Sequence, residues 1–340
     1  MNYAKQIANL GTETAFAVSA QARIWADKGN KVYPFHLGDI NLRTPQNIVE
    51  AMIKAVGDGK TGYCPSEGIL PLREALANDV GQRRNVVYSP ENVAVQPGGK
   101  PTIGKFIAAV MNPGDEVLYP NPGYPIYESQ IEYQGGRAVP YSYIETENGF
   151  DIDIEKLKAS ITNKTVAIIY NNYQNPISAE SSKEEMEQIA DIAISNDLWV
   201  LSDEAYFEMI YEGKSRSIVE IPNMKERTVI LYTFSKKFAM TGWRVGASIG
   251  PEKIIKIISK LNINAESCTT HFIQGAMIEA LTGDMSGSKE ILSKLKNRRD
   301  VAVSGLNAID GIDISKPRCT FYLFPNVTSI MKKKGFSTID

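Results

Sequence analysis

Cysteine and histidine are scarce in this chain of 340 residues, which has three cysteines and two histidines. Cys64, Cys268 and Cys319 are widely separated and form no C-x-x-C pair, which argues against a disulfide framework or a zinc site. His36 and His271 are not clustered with each other or with the cysteines, so the sequence predicts no metal centre. Scattered thiols are typical of a reducing cytoplasm.

The chain also lacks a large excess of charge of either sign, and it lacks long apolar runs. The formal net charge is −2, which leaves no basic footprint for nucleic acid and no polybasic patch for a membrane surface. No apolar run approaches membrane-spanning length, and the first residues, MNYAKQIANLGTE, lack the apolar core of a signal peptide. We therefore expect a cytoplasmic protein with no nucleic-acid or membrane partner, acting on small molecules.

One stretch, TVILYTFSKKFAMTGWRVG at residues 228–246, concentrates chemically active side chains at the end of a predicted strand. Thr233, Ser235, Lys236 and Arg244 follow the apolar run Val229–Tyr232. Strand ends of open α/β sheets hold ligands, and hydroxyls with a guanidinium are good phosphate donors. A lysine beside a bound phosphate can form a Schiff base with a carbonyl. Phosphate and aldehyde together describe pyridoxal 5'-phosphate (PLP).

The spacing between the lysine and the arginine in this stretch is characteristic of one group of PLP-binding proteins. An arginine stands eight residues after the lysine, between Gly242 and Gly246, which gives the pattern S/T-x-S-K followed by G-x-R-x-G. The chain here resembles the class I/II PLP-dependent aminotransferases of fold-type I, with aspartate aminotransferase as the nearest type. A Ser-Lys pair alone would more often be an ordinary solvated pair.

A second anion site is predicted where a strand, Val93–Gln96, runs into Pro97-Gly98-Gly99-Lys100 and a helix. Glycines at such a turn let backbone N–H groups face an anion at a helix N-terminus. The segment from Gly99 to Phe106 falls one residue short of a P-loop, but Phe106 cannot hold Mg²⁺ as Ser or Thr would. We therefore set a nucleotide site aside.

The resemblance implies roles for residues that match the family's motifs in the family's order. It makes the Gly99 and Lys100 amides, Thr233, Ser235 and Arg244 phosphate contacts, and Tyr63 a phosphate contact of the partner subunit in a homodimer. It places Tyr124 on the ring, Asp203 at the pyridine nitrogen, and Asn175 and Tyr206 at the phenolic oxygen. Gly38 and Asn175 would bind the substrate carboxylate. Each residue alone has a plainer interpretation, such as a turn glycine, a helix cap or a core tyrosine.

Two departures from the family's motifs are visible. Gly38 and Thr44-Pro45 match G-E-P-D-x-x-T-P, but Ile40-Asn41 do not. In the loop that should read N-x-x-N-P-T-G, Asn175-Pro176 match, whereas Ile177-Ser178 replace T-G. Asn175 itself is retained.

The predicted fold is α/β, a doubly wound, mostly parallel sheet with a second, smaller α+β domain. Residues 46–264 would form the large PLP-binding domain, and residues 1–45 and 265–340 the small domain. The predicted strands are Val32–Leu37, Val93–Gln96, Glu116–Tyr119, Arg137–Tyr143, Thr165–Tyr170, Leu198–Leu201, Val229–Tyr232 and Thr320–Phe324. The predicted helices are Thr14–Lys28, Gln46–Val56, Gly68–Asn78, Pro101–Met111, Glu180–Asn196, Pro251–Leu261, Thr270–Leu281 and Ser286–Ile309. Another is predicted to open within Asn121–Tyr127, and a last one to begin at Val327.

The implied activity is amino transfer between an amino acid and a 2-oxo acid. Lys236 would hold PLP as a Schiff base and then act as general base at the substrate Cα, while Asp203 keeps the pyridine nitrogen protonated. A PLP-dependent β-lyase that cleaves carbon–sulfur bonds is the alternative on the same fold, and a non-enzymatic PLP-binding regulator is a third.

The family's C-terminal motif carries an arginine for the substrate α-carboxylate. The pattern is followed to Phe321-Tyr322-Leu323-Phe324, and Arg298, Arg299 and Arg318 match no part of the arginine motif. From this we expect the C-terminal part of the small domain to be missing from these 340 residues. The apolar faces of Ser286–Ile309 and Thr320–Phe324 would then be exposed, and the chain would bind PLP with little transaminase activity.

Overall fold

The computed structural model describes residues 2–11, 14–35 and 37–337. The strands are β1 (Val93–Gln96), β2 (Glu116–Pro120), β3 (Arg137–Tyr141), β4 (Tyr143–Thr146), β5 (Gly149–Ile152), β6 (Thr165–Tyr170), β7 (Trp199–Asp203), β8 (Thr228–Thr233) and β9 (Gly246–Ile249). The helices are α1 (Thr14–Asp27), α2 (Gln46–Gly57), α3 (Leu70–Arg83), α4 (Lys100–Val110), α5 (Ile126–Tyr133), α6 (Ile154–Ala159), α7 (Lys183–Ser195), α8 (Glu252–Ala265), α9 (His271–Thr282), α10 (Ser286–Asn307) and α11 (Thr328–Lys334).

Local signals in the sequence account for several helix starts. The Ser182 side chain accepts a hydrogen bond from the Glu185 amide and so caps α7, and Asp153 caps α6 through the Lys156 amide. Proline occupies the first turn of α3 and α4, where its missing N–H has no partner to lose. These starts fix which helix ends face the edge of the sheet.

Seven strands form one sheet in the order β1-β9-β8-β7-β6-β2-β3. Strands β3, β2, β6, β7 and β8 run parallel, while β9 is antiparallel to both of its neighbours. Strands β4 and β5 form a separate antiparallel hairpin. The mostly parallel, doubly wound sheet of the sequence prediction is therefore confirmed.

Helices cover both faces of this sheet, which is why its central strands are buried and mainly apolar. Along β8, Val229 and Leu231 pack with α4 and α8, whereas Ile230 and Tyr232 point to the opposite face, where α2, α3 and α9 lie. Further along that face, α6 and α7 cover β6 and β7. Helix α9 lies beyond the boundary predicted near residue 265, but it packs against α2 and α3 of the predicted large domain. That domain boundary stays a prediction.

Two predicted strands are wrong. Residues 32–35 and 37 are not in a strand, Phe35 is 90% exposed, and His36 lies outside the described residues. The segment Thr320–Phe324 makes no ladder either, and only isolated bridges form on either side of it, at Cys319 and Asn326. Thr320 has a φ of +58°, a left-handed conformation that interrupts extended backbone.

Other boundaries shift without changing an element's type. The helix predicted at Gly68–Asn78 runs from Leu70 to Arg83, and the one predicted from Glu180 begins at Lys183. The predicted strand Arg137–Tyr143 is divided between β3 and β4. The helix predicted to open within residues 121–127 is α5, which begins at Ile126. Strand β9, the β4–β5 hairpin and the short helix α6 were not predicted as elements.

The predicted exposure of α10 is correct for only part of its apolar stripe. Ile291 and Leu295 are buried against Tyr206, Phe207 and Met209. In contrast, Ile309 just beyond the helix and Phe324 are largely exposed. Among the described residues, no helix is both long enough and apolar enough to cross a membrane.

A buried ion pair joins α3 to the end of β7. Arg84 Nε donates to Glu204 Oε2 at 2.5 Å, and both side chains are 1% exposed. The Arg84 guanidinium also lies 3.7 Å from the centre of the Phe207 ring, and Glu204 accepts from Ser202 Oγ. Because Glu204 follows Asp203 directly, this ion pair fixes the chain next to Asp203.

Removing one partner of this pair should destabilise the fold strongly, because the other charge stays buried without compensation. We expect Glu204→Ala to lower the free energy of unfolding by about 3–5 kcal/mol in urea denaturation. The control is Asp58→Ala, which breaks an exposed pair with Lys54 and should cost about 0–1 kcal/mol. Equal effects of the two substitutions would show that burial of the Arg84 charge does not set the cost.

Candidate active site

Two glycines from distant parts of the chain meet at one end of the sheet. A Cβ on Gly246 would lie 2.9 Å from the carbonyl carbon of Gly98 and 2.5 Å from the carbonyl oxygen of Tyr232. A Cβ on Gly98, whose φ is +106°, would overlap the guanidinium of Arg244. The turn before α4 and the segment after β8 can therefore approach closely only because both positions lack side chains.

Hydroxyl and guanidinium donors converge at this contact. Thr233 Oγ1 lies 2.9 Å from Ser235 Oγ and also accepts from the Ser235 amide. A Cβ on Gly99 would lie 3.2 Å from Cβ of Thr233, which places the start of α4 beside these hydroxyls. The structure thus brings together Gly99, Lys100, Thr233, Ser235 and Arg244, the set predicted to hold a phosphate.

Asp203 ends β7 with its carboxylate buried. Tyr127 Oη donates to Asp203 Oδ2 at 2.6 Å, and the Ala205 amide donates to Oδ1 at 3.1 Å. Burial raises the pKa of the Asp203 carboxyl, although the hydrogen bonds from Tyr127 and Ala205 and the charge of Lys236 oppose the rise. The carboxylate is therefore held in one orientation at an electrostatic cost that a nearby cation would relieve.

The loop after β6 is attached to the same strand end. Asn171 Nδ2 donates to the carbonyl oxygen of Asp203 at 2.9 Å, and Asn171 Oδ1 accepts from the Asn175 amide at 3.0 Å. Asn171 therefore fixes the backbone of Asn175 relative to Asp203.

Lys236 lies among groups from three parts of the chain. Its Nζ donates to the carbonyl oxygen of Gly38 at 2.8 Å. The same atom lies 5.8 Å from the centre of the Tyr206 ring and 5.3 Å from that of Phe321. The amine is thus placed between the predicted substrate-binding glycine and the aromatic rings, within electrostatic reach of Asp203.

The Tyr206 hydroxyl is paired with another phenol. Tyr206 Oη and Tyr322 Oη are 2.7 Å apart, and the two rings meet edge to face at 5.5 Å. A Cβ on Gly38 would lie 2.7 Å from Tyr322 Oη, so Tyr322 closes the space between Gly38 and Tyr206. Burial, followed by the neighbouring Tyr322, raises the pKa of Tyr206 well above its ordinary value.

Of the two remaining predicted residues, Tyr124 joins the cluster and Tyr63 does not. Lys100 Nζ lies 5.7 Å from the centre of the Tyr124 ring, and that ring meets Tyr127 edge to face. Tyr63 is 89% exposed, and no hydrogen bond or ring contact of its side chain is found within the described part of the chain.

Three residues that contact predicted members of the cluster could not be assigned from the sequence. Tyr127 was interpreted as a core tyrosine, and Asn171 and Tyr322 were given no role, although each lies within four residues of a matched motif. The arginines considered for the substrate carboxylate contact other groups: Arg298 contacts Asn41, Arg299 contacts Asp300, and Arg318 contacts Glu180.

The P-loop interpretation is excluded by the position of Lys105. This lysine is buried inside α4's packing surface, where Nζ donates to Gln96, Asn262 and Glu266. In the described ranges, no group of three or more His, Cys, Asp or Glu side chains is arranged to hold a metal ion.

Comparison with known proteins agrees with this geometry. The family profile "Aminotransferase class I and II" matches residues 31–337. A probable aspartate/prephenate aminotransferase of Aquifex aeolicus is 35% identical over 98% of this chain and 85% of its own length. An aspartate aminotransferase of Sulfolobus acidocaldarius is 34% identical over the whole of this chain and 85% of its own.

Solved structures show the same fold. The aspartate aminotransferase of Thermus thermophilus with maleate superposes with a TM-score of 0.91 at 30% identity, over 97% of this chain and 86% of that one. An alanine aminotransferase from Pyrococcus furiosus gives a TM-score of 0.90 at 33% identity, over 96% and 84% of the two chains.

The fold-type I architecture and the family match together identify a PLP-dependent enzyme. The chain belongs to the aminotransferase class I and II family. It is a PLP-dependent aminotransferase, which acts on amino acids and 2-oxo acids.

The burial of Asp203 predicts a pH-dependent stability in the PLP-free protein. A carboxyl whose pKa is raised on folding binds its proton more tightly in the folded state, so stability falls as pH rises from its ordinary value near 3.8 toward the raised value. Asp203→Asn removes this titration. We expect the variant to be more stable than the wild type at pH 7, with an advantage that shrinks as the pH is lowered toward 4.

Thermal unfolding at several pH values measures this difference. The control is Asp58→Asn, which makes the same change of side chain at an exposed carboxylate. An advantage of Asp203→Asn that did not vary with pH would show that titration of the carboxyl is not its source.

Proposed function

We propose that Lys236 is the residue that binds PLP covalently and moves the substrate proton, and that the surrounding cluster holds the cofactor in the roles implied by the family motifs. The observation that carries this proposal is the position of Lys236 Nζ. It lies between Gly38 and the Tyr206 ring, and its charge acts on the buried Asp203 carboxylate.

The residues present fit the cofactor's chemistry. Two hydroxyls, a guanidinium and a helix N-terminus at the Gly98–Gly246 contact suit a dianionic phosphate. The buried Asp203, anchored by Tyr127, suits a protonated ring nitrogen, because a cation would offset the cost of burying the carboxylate. When bound, PLP supplies an electron sink that stabilises negative charge at the substrate Cα.

Each residue then has a defined task. Arg244, Thr233 and Ser235 would hold the phosphate, together with the Gly99 and Lys100 amides, and Tyr124 would contact the ring. Asn175 and Tyr206 would donate to the phenolic oxygen, since both are fixed near the end of β7, Asn175 through Asn171 and Tyr206 through Tyr322.

Lys236 performs the proton transfer. Once the substrate amine has taken its place, the freed Nζ would accept the proton from the substrate Cα and release it again later in the transfer. Gly38 and Asn175 orient the substrate carboxylate so that this Cα–H faces the lysine. The Gly38 carbonyl that accepts from Nζ in the present structure keeps the amine at this position.

The amino donor can be identified with a panel of amino acids and the purified enzyme. Aspartate and alanine are the first to test, because relatives and solved neighbours carry these names. Single-turnover reactions separate transamination from the alternative β-lyase. A transaminase is converted to its pyridoxamine form with release of a 2-oxo acid, whereas a lyase would release ammonia and regain PLP.

Replacing the proposed lysine should abolish both covalent attachment and turnover. We expect Lys236→Ala to lose any borohydride-reducible bond to PLP. Loss of the general base alone should reduce activity about 10²–10⁴-fold. The phosphate donors should retain some non-covalent affinity.

The adjacent lysine is a matched control. Lys237 pairs with Glu208 at 2.6 Å instead of facing Gly38, so Lys237→Ala should keep covalent attachment. If Lys236→Ala still formed a reducible adduct at another lysine with normal activity, the assignment of Lys236 would be wrong.

We also propose a cytoplasmic homodimer in which Tyr63 of each subunit contacts the phosphate held by its partner. The exposed position of Tyr63, outside its own subunit's cluster, supports this arrangement. The scattered free cysteines support a reducing compartment.

Mixing two inactive or weakened variants tests the composite site. A heterodimer of Tyr63→Phe and Lys236→Ala chains should contain one intact site and regain activity above that of either variant alone. Light scattering at micromolar concentration gives the assembly state. A fully active monomer would rule the proposal out.

A further inference from the structure

Ser178 and Thr320 form a closed ring of hydrogen bonds between two distant segments. Ser178 Oγ lies 2.5 Å from Thr320 Oγ1 and donates to the carbonyl oxygen of Tyr322 at 2.9 Å. Thr320 Oγ1 accepts from the Tyr322 amide at 3.1 Å. Since Ser178 uses its proton on Tyr322, Thr320 must donate to Ser178, and each hydroxyl both donates and accepts. We call these two residues the hydroxyl clasp.

The clasp is buried and uses two unusual backbone conformations. Ser178 has a φ of +56° and Thr320 a φ of +58°, which is costly for a β-branched residue such as threonine. Ser178 stands where the family motif has glycine, the residue for which this conformation is free of strain. A side chain at that position therefore needs a compensating interaction, and the ring of hydrogen bonds provides one.

The segment held by the clasp reaches the lysine. Phe321 and Tyr322 follow Thr320 directly, and the Phe321 ring lies 5.3 Å from Lys236 Nζ. Tyr322 Oη contacts Tyr206 Oη at 2.7 Å. A displacement of the backbone at Thr320 therefore moves Tyr322, two residues later, and with it the hydroxyl that pairs with Tyr206.

We propose that Ser178 is a positioning residue for the aminotransferase reaction, acting through Thr320 and Tyr322 to orient the hydroxyl of Tyr206 at the lysine. The inference rests on the proposed roles of Lys236 and Tyr206. The groups that face Tyr206 are Tyr322, Asp203, Tyr124 and Lys236. Tyr322 is hydrogen-bonded directly to the Tyr206 hydroxyl.

The test compares Ser178→Ala, Ser178→Gly and Thr320→Val with Thr320→Ser, which keeps the hydroxyl. In the PLP-free protein, amide hydrogen exchange of the segment 319–324 should accelerate in the first three and remain slow in Thr320→Ser. Ser178→Gly relieves the positive φ but removes the hydroxyl. Wild-type exchange in Ser178→Gly would show that the clasp does not hold the segment.

The PLP-loaded enzyme supplies the second readout. Without a well-placed Tyr206 hydroxyl, the phenolic oxygen is less stabilised as an anion, so the lysine–PLP linkage should titrate at a higher pH in absorbance measurements. Ser178→Ala and Ser178→Gly should both show this shift, in the direction of Tyr206→Phe but smaller. We expect kcat/KM to fall about tenfold, mainly in kcat, the equivalent of about 1.4 kcal/mol.

A Tyr322→Phe variant distinguishes the contact between Tyr322 and Tyr206 from the hydroxyl clasp itself. It removes the phenol that contacts Tyr206 but leaves the clasp, so it should shift the titration without changing exchange of residues 319–324. If Ser178→Ala shifts the titration and Tyr322→Phe does not, the route through Tyr322 is wrong. If the wild-type enzyme forms no linkage at Lys236, the proposed function fails, whereas hydrogen exchange still tests the clasp.

Discussion

The contact between Gly98 and Gly246 is the constraint on which the rest of the active site depends. Strand β9 lies antiparallel between β1 and β8, and its first residue, Gly246, is paired with Gln96 on one side and Thr233 on the other. A side chain at Gly246 would collide with the backbone of Gly98. The turn before α4, which is proposed to bind the phosphate, and the lysine segment after β8 therefore share one location because two backbones can touch there.

The free-energy cost of burying charge is concentrated at the end of β7, the strand next to β8. Asp203 is buried with a raised pKa, and Tyr127 fixes its orientation without neutralising it. By contrast, the next residue, Glu204, is buried against a full positive charge on Arg84. Two adjacent carboxylates thus have opposite environments. Glu204 is satisfied within the fold, while Asp203 is left poised for a cation, as the proposed pyridine-nitrogen role requires.

Much of the fold followed from the sequence because parallel strands buried on both faces are continuous apolar runs, and the matched motifs follow them directly. The locations of Lys236, Asp203 and the Gly98-Gly99 turn at strand ends could be predicted for this reason. The relation of Tyr127 to Asp203 could not, since a core tyrosine and an aspartate-binding tyrosine have the same apolar surroundings in sequence.

The strand predicted at Thr320–Phe324 is wrong because its apolar run, Phe321–Phe324, makes contacts with Tyr206 and Lys236 instead of a ladder. Tertiary hydrogen bonds to Ser178 override the local preference of the segment. Residues 32–35 differ, since their aromatic residues find no partner strand within the described part of the chain and remain exposed.

Two segments outside the sheet close on Lys236 from different directions. Gly38 accepts a hydrogen bond from its amine, and Phe321 and Tyr322 pack beside it. Tyr322 also lies against Gly38, so the two segments contact each other over the lysine. Because Tyr322 Oη is also hydrogen-bonded to Tyr206 Oη, the backbone that accepts from the amine lies beside the pair of hydroxyls that the proposed mechanism uses.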